Sequence, residues 1–167
     1  VAFIAANQLP PKSFEGNQPR TVKATGASGS LRLHAADAAL YGPSIVFESK
    51  YGNVGFWQSV EDRVQWRLDV PIAGEYDLYL DWALAAKTAN QTFYFKVGDQ
   101  QVSAPTKETG SWDQYRQMKI GTLYLAQGSQ LAIMRATPPL DNFLLDLREV
   151  CLTPKGEKPP SPFSGGD

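Results

Sequence analysis

The stretch from Glu61 to Ala83, EDRVQWRLDVPIAGEYDLYLDWA, constrains the fold more than any other part of the chain. It holds two runs with a two-residue period. In the first, Val64, Trp66, Leu68 and Val70 fall on one face, and Arg63, Gln65, Arg67 and Asp69 on the other. In the second, Tyr76, Leu78, Leu80 and Trp82 alternate with Asp77, Tyr79 and Asp81. Successive side chains of a strand point to opposite faces, so each run is a strand with one buried face. Pro71 and Gly74 punctuate the connection, which predicts an antiparallel pair joined by a tight turn. Trp66, Trp82 and Tyr76 fall on the apolar faces and are read as core.

The same period recurs along the chain. Strands are predicted over 31–35, 44–48, 54–58, 63–70, 76–82, 92–97, 115–125, 130–136 and 144–152, with turns at Tyr41-Gly42-Pro43, Gly98-Asp99 and Gln127-Gly128-Ser129. No long segment keeps a helical period. Eight or nine strands of this spacing make an all-β fold: a two-sheet antiparallel β-sandwich of jelly-roll type. The sandwich is read over residues 31–154. Residues 1–30 are read as the end of a preceding domain (Val1, Ile4 and Ala5 at helical spacing) followed by a linker rich in Pro, Gly, Ser and Thr. Residues 155–167, KGEKPPSPFSGGD, have too few apolar groups to fold and read as a tail or second linker. The opening VAFIAANQ reads as the edge of a piece cut from a longer protein.

Composition removes several function classes. The formal net charge of −1 argues against a nucleic-acid partner, which calls for a basic field. No basic amphipathic helix and no long apolar run points to a membrane. Cys151 is the single cysteine. It cannot form an internal disulfide, and its apolar neighbours mark it as a small buried hydrophobe. His34, the only histidine, lies in a predicted strand and is read as structural. Asp69, Asp77, Asp81 and the Glu61-Asp62 pair single out no two poised carboxylates, and no nucleophile, phosphate-loop or metalloprotease motif occurs. The chain is read as having no catalytic residues.

Four phrases in order carry a family resemblance. LHAADAALYG is similar to the opening A-E-x-A…G of carbohydrate-binding modules of families six and thirty-five. VQWRLDVPIAGEYDLYLDWA is similar to their P-x-A-G-x-Y strand pair, TGSWDQYRQMKIGTLYLAQGSQLAIMRA to their T-G-x-W segment, and LLDLREVCL to their closing strand. The match covers about residues 31 to 153 and implies a galactose-binding-like sandwich. The phrases GFWQS and ED also resemble a module of planctomycete multidomain c-type cytochrome proteins, in which it follows a haem domain. No CxxCH occurs in this chain, so no covalent haem is expected here.

The resemblance implies a sugar cleft in loops at one end of the sandwich. Sugars bind by stacking an apolar pyranose face on an aromatic ring while polar groups meet the hydroxyls. Trp112 takes the position of the T-G-x-W tryptophan and is read for binding ahead of packing. Phe56 or Trp57 takes the place of a second aromatic. Strand alternation allows only one to face the core, and Trp57 is favoured as the exposed one, with a core-covering role as the alternative. Asn142 is assigned to the asparagine before the last strand, with Asp141 as a fallback and a loop-capping role as the alternative. Asp113, Tyr115 and Arg116 are placed on the rim. The family's structural calcium implies Asp146 as a ligand with Asp37 beside the position that Ala36 takes from the usual glutamate; no cofactor is otherwise expected. The implied function is a non-catalytic module that tethers a larger, redox, periplasmic or secreted protein to a polysaccharide or glycan, with neighbouring domains as its other partners. The alternative is a structural or interaction sandwich with a degenerate sugar site.

Overall fold

The computed structural model describes residues 16–26 and 29–162. Twelve strands lie among them: β1 (Thr21–Thr25), β2 (Ser30–His34), β3 (Ala39–Tyr41), β4 (Val46–Glu48), β5 (Asn53–Gly55), β6 (Arg63–Val70), β7 (Gly74–Ala83), β8 (Thr92–Val97), β9 (Gln100–Pro105), β10 (Arg116–Leu125), β11 (Gly128–Ala136) and β12 (Asp146–Pro154). The helix end read over residues 1–8 lies outside the described residues.

The strands form the expected sandwich. In one sheet β7 lies between β10 and β12, and β12 pairs on its other side with β2 and, further along, with β5, which pairs with β4. In the other, β6 pairs on one side with β11, which leads to β8 and β9, and on the other side with β3. β1 joins the two sheets. Thr21–Lys23 run parallel to Arg67–Asp69 of β6, and Ala24 and Thr25 pair with β2.

Three features depart from the sequence reading. First, β6 and β7 do not pair with each other. They belong to opposite sheets, and residues 71–73 arch between them, with the Tyr76 hydroxyl donating to the Ile72 carbonyl at 2.7 Å. Alternation identifies a buried face but not the neighbour across which it pairs. Second, β1 falls within the stretch read as a linker, and β3 and β9 were not expected. All three are short or polar, and backbone pairing rather than side-chain period defines them. Third, residues 155–162 lie along the outer face of the β10–β7–β12–β2 sheet. Gly156 N donates to Asp77, Gln117 Nε2 to the Pro160 carbonyl at 3.2 Å and Arg32 to the Ser161 carbonyl at 2.8 Å. Main-chain carbonyls hold this segment, so its lack of apolar side chains does not free it.

The core fills the space between the sheets. Trp66 and Trp82 are buried as expected, and each indole N–H is satisfied: Trp66 by the His34 carbonyl at 2.8 Å, Trp82 by the Lys107 carbonyl at 2.9 Å. Trp82 of one sheet meets Phe93 of the other edge to face, centroids 6.0 Å apart. Such pairs add about 0.5–1.5 kcal/mol beyond area burial. Cys151 is buried, in keeping with its reading as a small hydrophobe. His34 stands with Nδ1 3.3 Å from the buried Glu149, which Arg32 grips with two hydrogen bonds of 2.8 and 3.1 Å.

Candidate functional site

A concave, aromatic-walled patch lies where β7 ends and β10 and β12 begin. Three loops and the β4–β5 hairpin build it. Two contiguous hollows share Glu48, Trp112 and Asp146. One, about 210 Å³, adds Phe56 and Phe143. The other, about 330 Å³, adds Tyr51, Asn53, Asp113, Tyr115 and Arg148. Together they match the size of small-ligand clefts.

The aromatic wall is continuous. Phe143 stands between Phe56 and Trp112, edge to face with both, at centroid distances of 6.4 and 6.0 Å. Trp112 is half-buried, with part of the indole against the core and part lining the hollows. Its loop is pinned at Thr109, whose hydroxyl accepts from Leu84 N at 2.9 Å while its amide donates to the Leu84 carbonyl. Ser111 donates to Asp113 at 3.0 Å.

Phe56 and Trp57 exchange the roles assigned from sequence. Phe56 is 52% exposed and Trp57 is fully buried. Continuing the alternation from the buried Val54 would put Phe56 in the core and Trp57 outside. Phe56 instead adopts a left-handed backbone, φ 54°, which a phenylalanine takes only when its surroundings impose it. That residue resets the alternation and swings its ring into the cavity. Asp62 anchors the loop that follows. Its buried carboxylate accepts from the amides of Ser44, Ile45, Gln58 and Ser59 and from the Ser44 hydroxyl.

The floor is acidic. Glu48 accepts from Asn53 Nδ2 at 2.9 Å. Its carboxylate and that of Asp146 converge over Gly55: a Cβ there would lie 2.2 Å from Glu48 Oε1 and 3.1 Å from Asp146 Oδ1. Burial, together with the neighbouring Glu48 charge, pushes the Asp146 carboxyl up to about 7. Arg148 lies over the Tyr115 ring, 3.7 Å from its centroid, and its Nε donates to the Tyr51 carbonyl at 3.3 Å. Burial pushes the Tyr115 hydroxyl above its ordinary range.

Of the residues assigned from sequence, Trp112, Asp113, Tyr115 and Asp146 come together here. Trp57, Asn142, Arg116 and Asp37 do not. Asn142 is exposed and caps its own loop, its Oδ1 accepting from Phe143 N at 2.8 Å, so that the next residue supplies the ring. Arg116 is exposed at the start of β10 and lines neither hollow. Asp37 lines a separate cavity with Arg20, which stands 4.0 Å from it. Asp37 and Asp146 therefore line different cavities. Among the described residues no group of three or more His, Cys, Asp and Glu gathers as a metal cluster. Sequence reasoning missed Glu48, Tyr51, Asn53, Phe143 and Arg148. Only Glu48 and Arg148 left a trace, as polar positions in alternating strands.

No known family model matches the chain, and no curated protein is similar to it in sequence. Solved structures do match its fold. A native family 35 carbohydrate-binding module from Clostridium thermocellum superposes with a TM-score of 0.62 at 21% identity, covering 74% of this chain and 96% of that one. The family 35 module of Cellvibrio japonicus Abf62 gives 0.61 at 19% identity, covering 81% and 99%. The insecticidal crystal protein Cry2Aa gives 0.62 at 14% identity over 78% of this chain and 22% of its own. At these identities the likeness establishes the fold: the chain is a jelly-roll β-sandwich of the kind that family 35 carbohydrate-binding modules share.

Proposed function

We propose that this domain is a non-catalytic carbohydrate-binding module whose site is the cavity walled by Phe56, Phe143 and Trp112. The observation that carries the reading is the chemistry of that cavity. Aromatic faces and edges stand beside carboxylates and amides, which is what a pyranose needs: an apolar face to stack and hydrogen-bond partners for its hydroxyls. Family 35 modules with the same fold support it. Trp112 and Phe56 stack sugar rings, and Glu48, Asp146, Asp113 and Asn53 meet hydroxyls. A single shallow site of this type binds in the millimolar to micromolar range, roughly 4–8 kcal/mol.

The module serves to hold a larger protein, of the redox kind its sequence resembles, on a glycan outside the cytoplasm. Among the described residues no helix is long and apolar enough to cross a membrane. A polysaccharide panel in affinity gels tests the reading. Retardation by at least one glycan, lost in Trp112→Ala, supports it; equal mobility of both proteins on every glycan refutes it.

One observation favours a second role as a docking element. Ile72 is 72% exposed at the tip of the β6–β7 arch, beside an apolar groove lined by Pro71, Ala73, Tyr76 and Pro154. Loss of contact with a neighbouring domain in Ile72→Asp would support that role, independently of the sugar site.

A further inference from the structure

The cavity is unbalanced in charge. Among the described residues Glu48, Asp113 and Asp146 line it, and Arg148 is the one cation that does. Arg148 is committed to the Tyr115 ring and the Tyr51 carbonyl. Among the described residues the ion pairs go to Asp37, Glu149, Asp77 and Glu75; none reaches Glu48 or Asp146. Asn53 adds a second kind of observation. It is fully buried against the cavity, its Nδ2 is spent on Glu48, and its Oδ1 has no partner. The cavity thus sets the accepting oxygens of Glu48, Asp113, Asp146 and Asn53 against the donors of Arg148, Tyr51 and Tyr115, with acceptors and negative charge in excess.

Resting on the glycan-binding reading, we infer that this site selects sugars bearing a protonated amine, a de-N-acetylated hexosamine whose ammonium sits between Glu48 and Asp146 while its ring lies against Trp112 or Phe56. An ammonium carries three donors, no acceptor and a full positive charge. It satisfies both carboxylates at once, at charge-assisted distances of about 2.7–2.9 Å. At Gly55 both carboxylates reach the space beside the Cα, so their oxygens converge near one point. An N-acetyl group removes the charge and brings a carbonyl toward the carboxylates. A uronate meets like charge. A neutral hydroxyl fills one donor position where the ammonium fills several.

The test is titration calorimetry of the full chain, with a chelator and about 0.15 M salt to screen diffuse attraction. The probes are tetramers of glucosamine, N-acetylglucosamine and glucose in matching linkage. The expected result is at least tenfold tighter binding of the glucosamine tetramer. That ratio shrinks at least fivefold in both Glu48→Gln and Asp146→Asn, with melting curves confirming that both variants fold. Equal affinity for the three probes, with Trp112-dependent binding, overturns the amine inference and leaves the glycan site standing. So does a preference that survives both substitutions, or binding that requires added calcium. Failure of all probes together with a complete blank on the wider glycan panel removes both readings.

Discussion

Phe56 and Trp57 are chain neighbours with opposite fates: the first ring is 52% exposed in the cavity, the second fully buried in the core. The left-handed backbone at Phe56 separates them. Phe56→Ala therefore weakens glycan binding at least fivefold and moves stability little. Trp57→Ala costs about 3–5 kcal/mol and lowers the melting temperature sharply. Paired calorimetric melts and binding titrations check this; a reversed pattern would mean the two rings are exchanged.

Gly55 sets the shape of the acidic floor. Its place opposite Glu48 leaves no room for a side chain, with a Cβ 2.2 Å from Glu48 Oε1. Gly55→Ala pushes the flexible Glu48 carboxylate aside and breaks its bond to Asn53. Binding should fall at least tenfold, with a stability change within about 1–2 kcal/mol. Unaltered affinity in a folded Gly55→Ala protein would show that the carboxylates take no part.

Asp81 gives a pH signature separate from binding. It is buried, and neither carboxylate oxygen has a hydrogen-bond partner. Burial raises its carboxyl to about 6; Arg148 and Arg32 oppose the shift and Glu149 adds to it. Between about pH 4 and pH 6 the folded chain holds a proton that the unfolded chain releases, so Asp81 lowers stability as pH rises through that window. Asp81→Asn removes the cost. Urea unfolding should show the variant more stable than the parent by about 1–3 kcal/mol at pH 7.5, with the gap closed by pH 4. A gap independent of pH would assign the effect to packing.

The sandwich was readable because its evidence is local. Val64 to Val70 and Tyr76 to Trp82 reveal their buried faces by period alone, and Trp66 and Trp82 lie where that period puts them. Pairing was less readable, since β6 and β7 look like a hairpin but arch between sheets. The site was half readable. Trp112 and Asp146 could be carried by motif. Phe143 and Glu48 could not, because a cavity wall is assembled from segments far apart in sequence. Phe56 was assigned to the wrong side because one left-handed residue resets the alternation, and no side-chain pattern announces that. The covering of Asp77 and Arg32 by residues 155–162 was hidden for a related reason: carbonyl acceptors have no signature in composition.

The central claim is that the half-buried indole of Trp112 is a sugar-stacking surface. The other three tryptophans, Trp57, Trp66 and Trp82, are buried away from ligand, so a ligand-induced change in tryptophan emission is assigned to Trp112. Titration with the glycan retained most strongly in affinity gels should give a saturable emission shift that disappears in Trp112→Ala while the melting temperature stays within a few degrees of the parent. The same shift in Trp112→Ala, or collapse of the fold in that variant, would contradict the account and return Trp112 to the core.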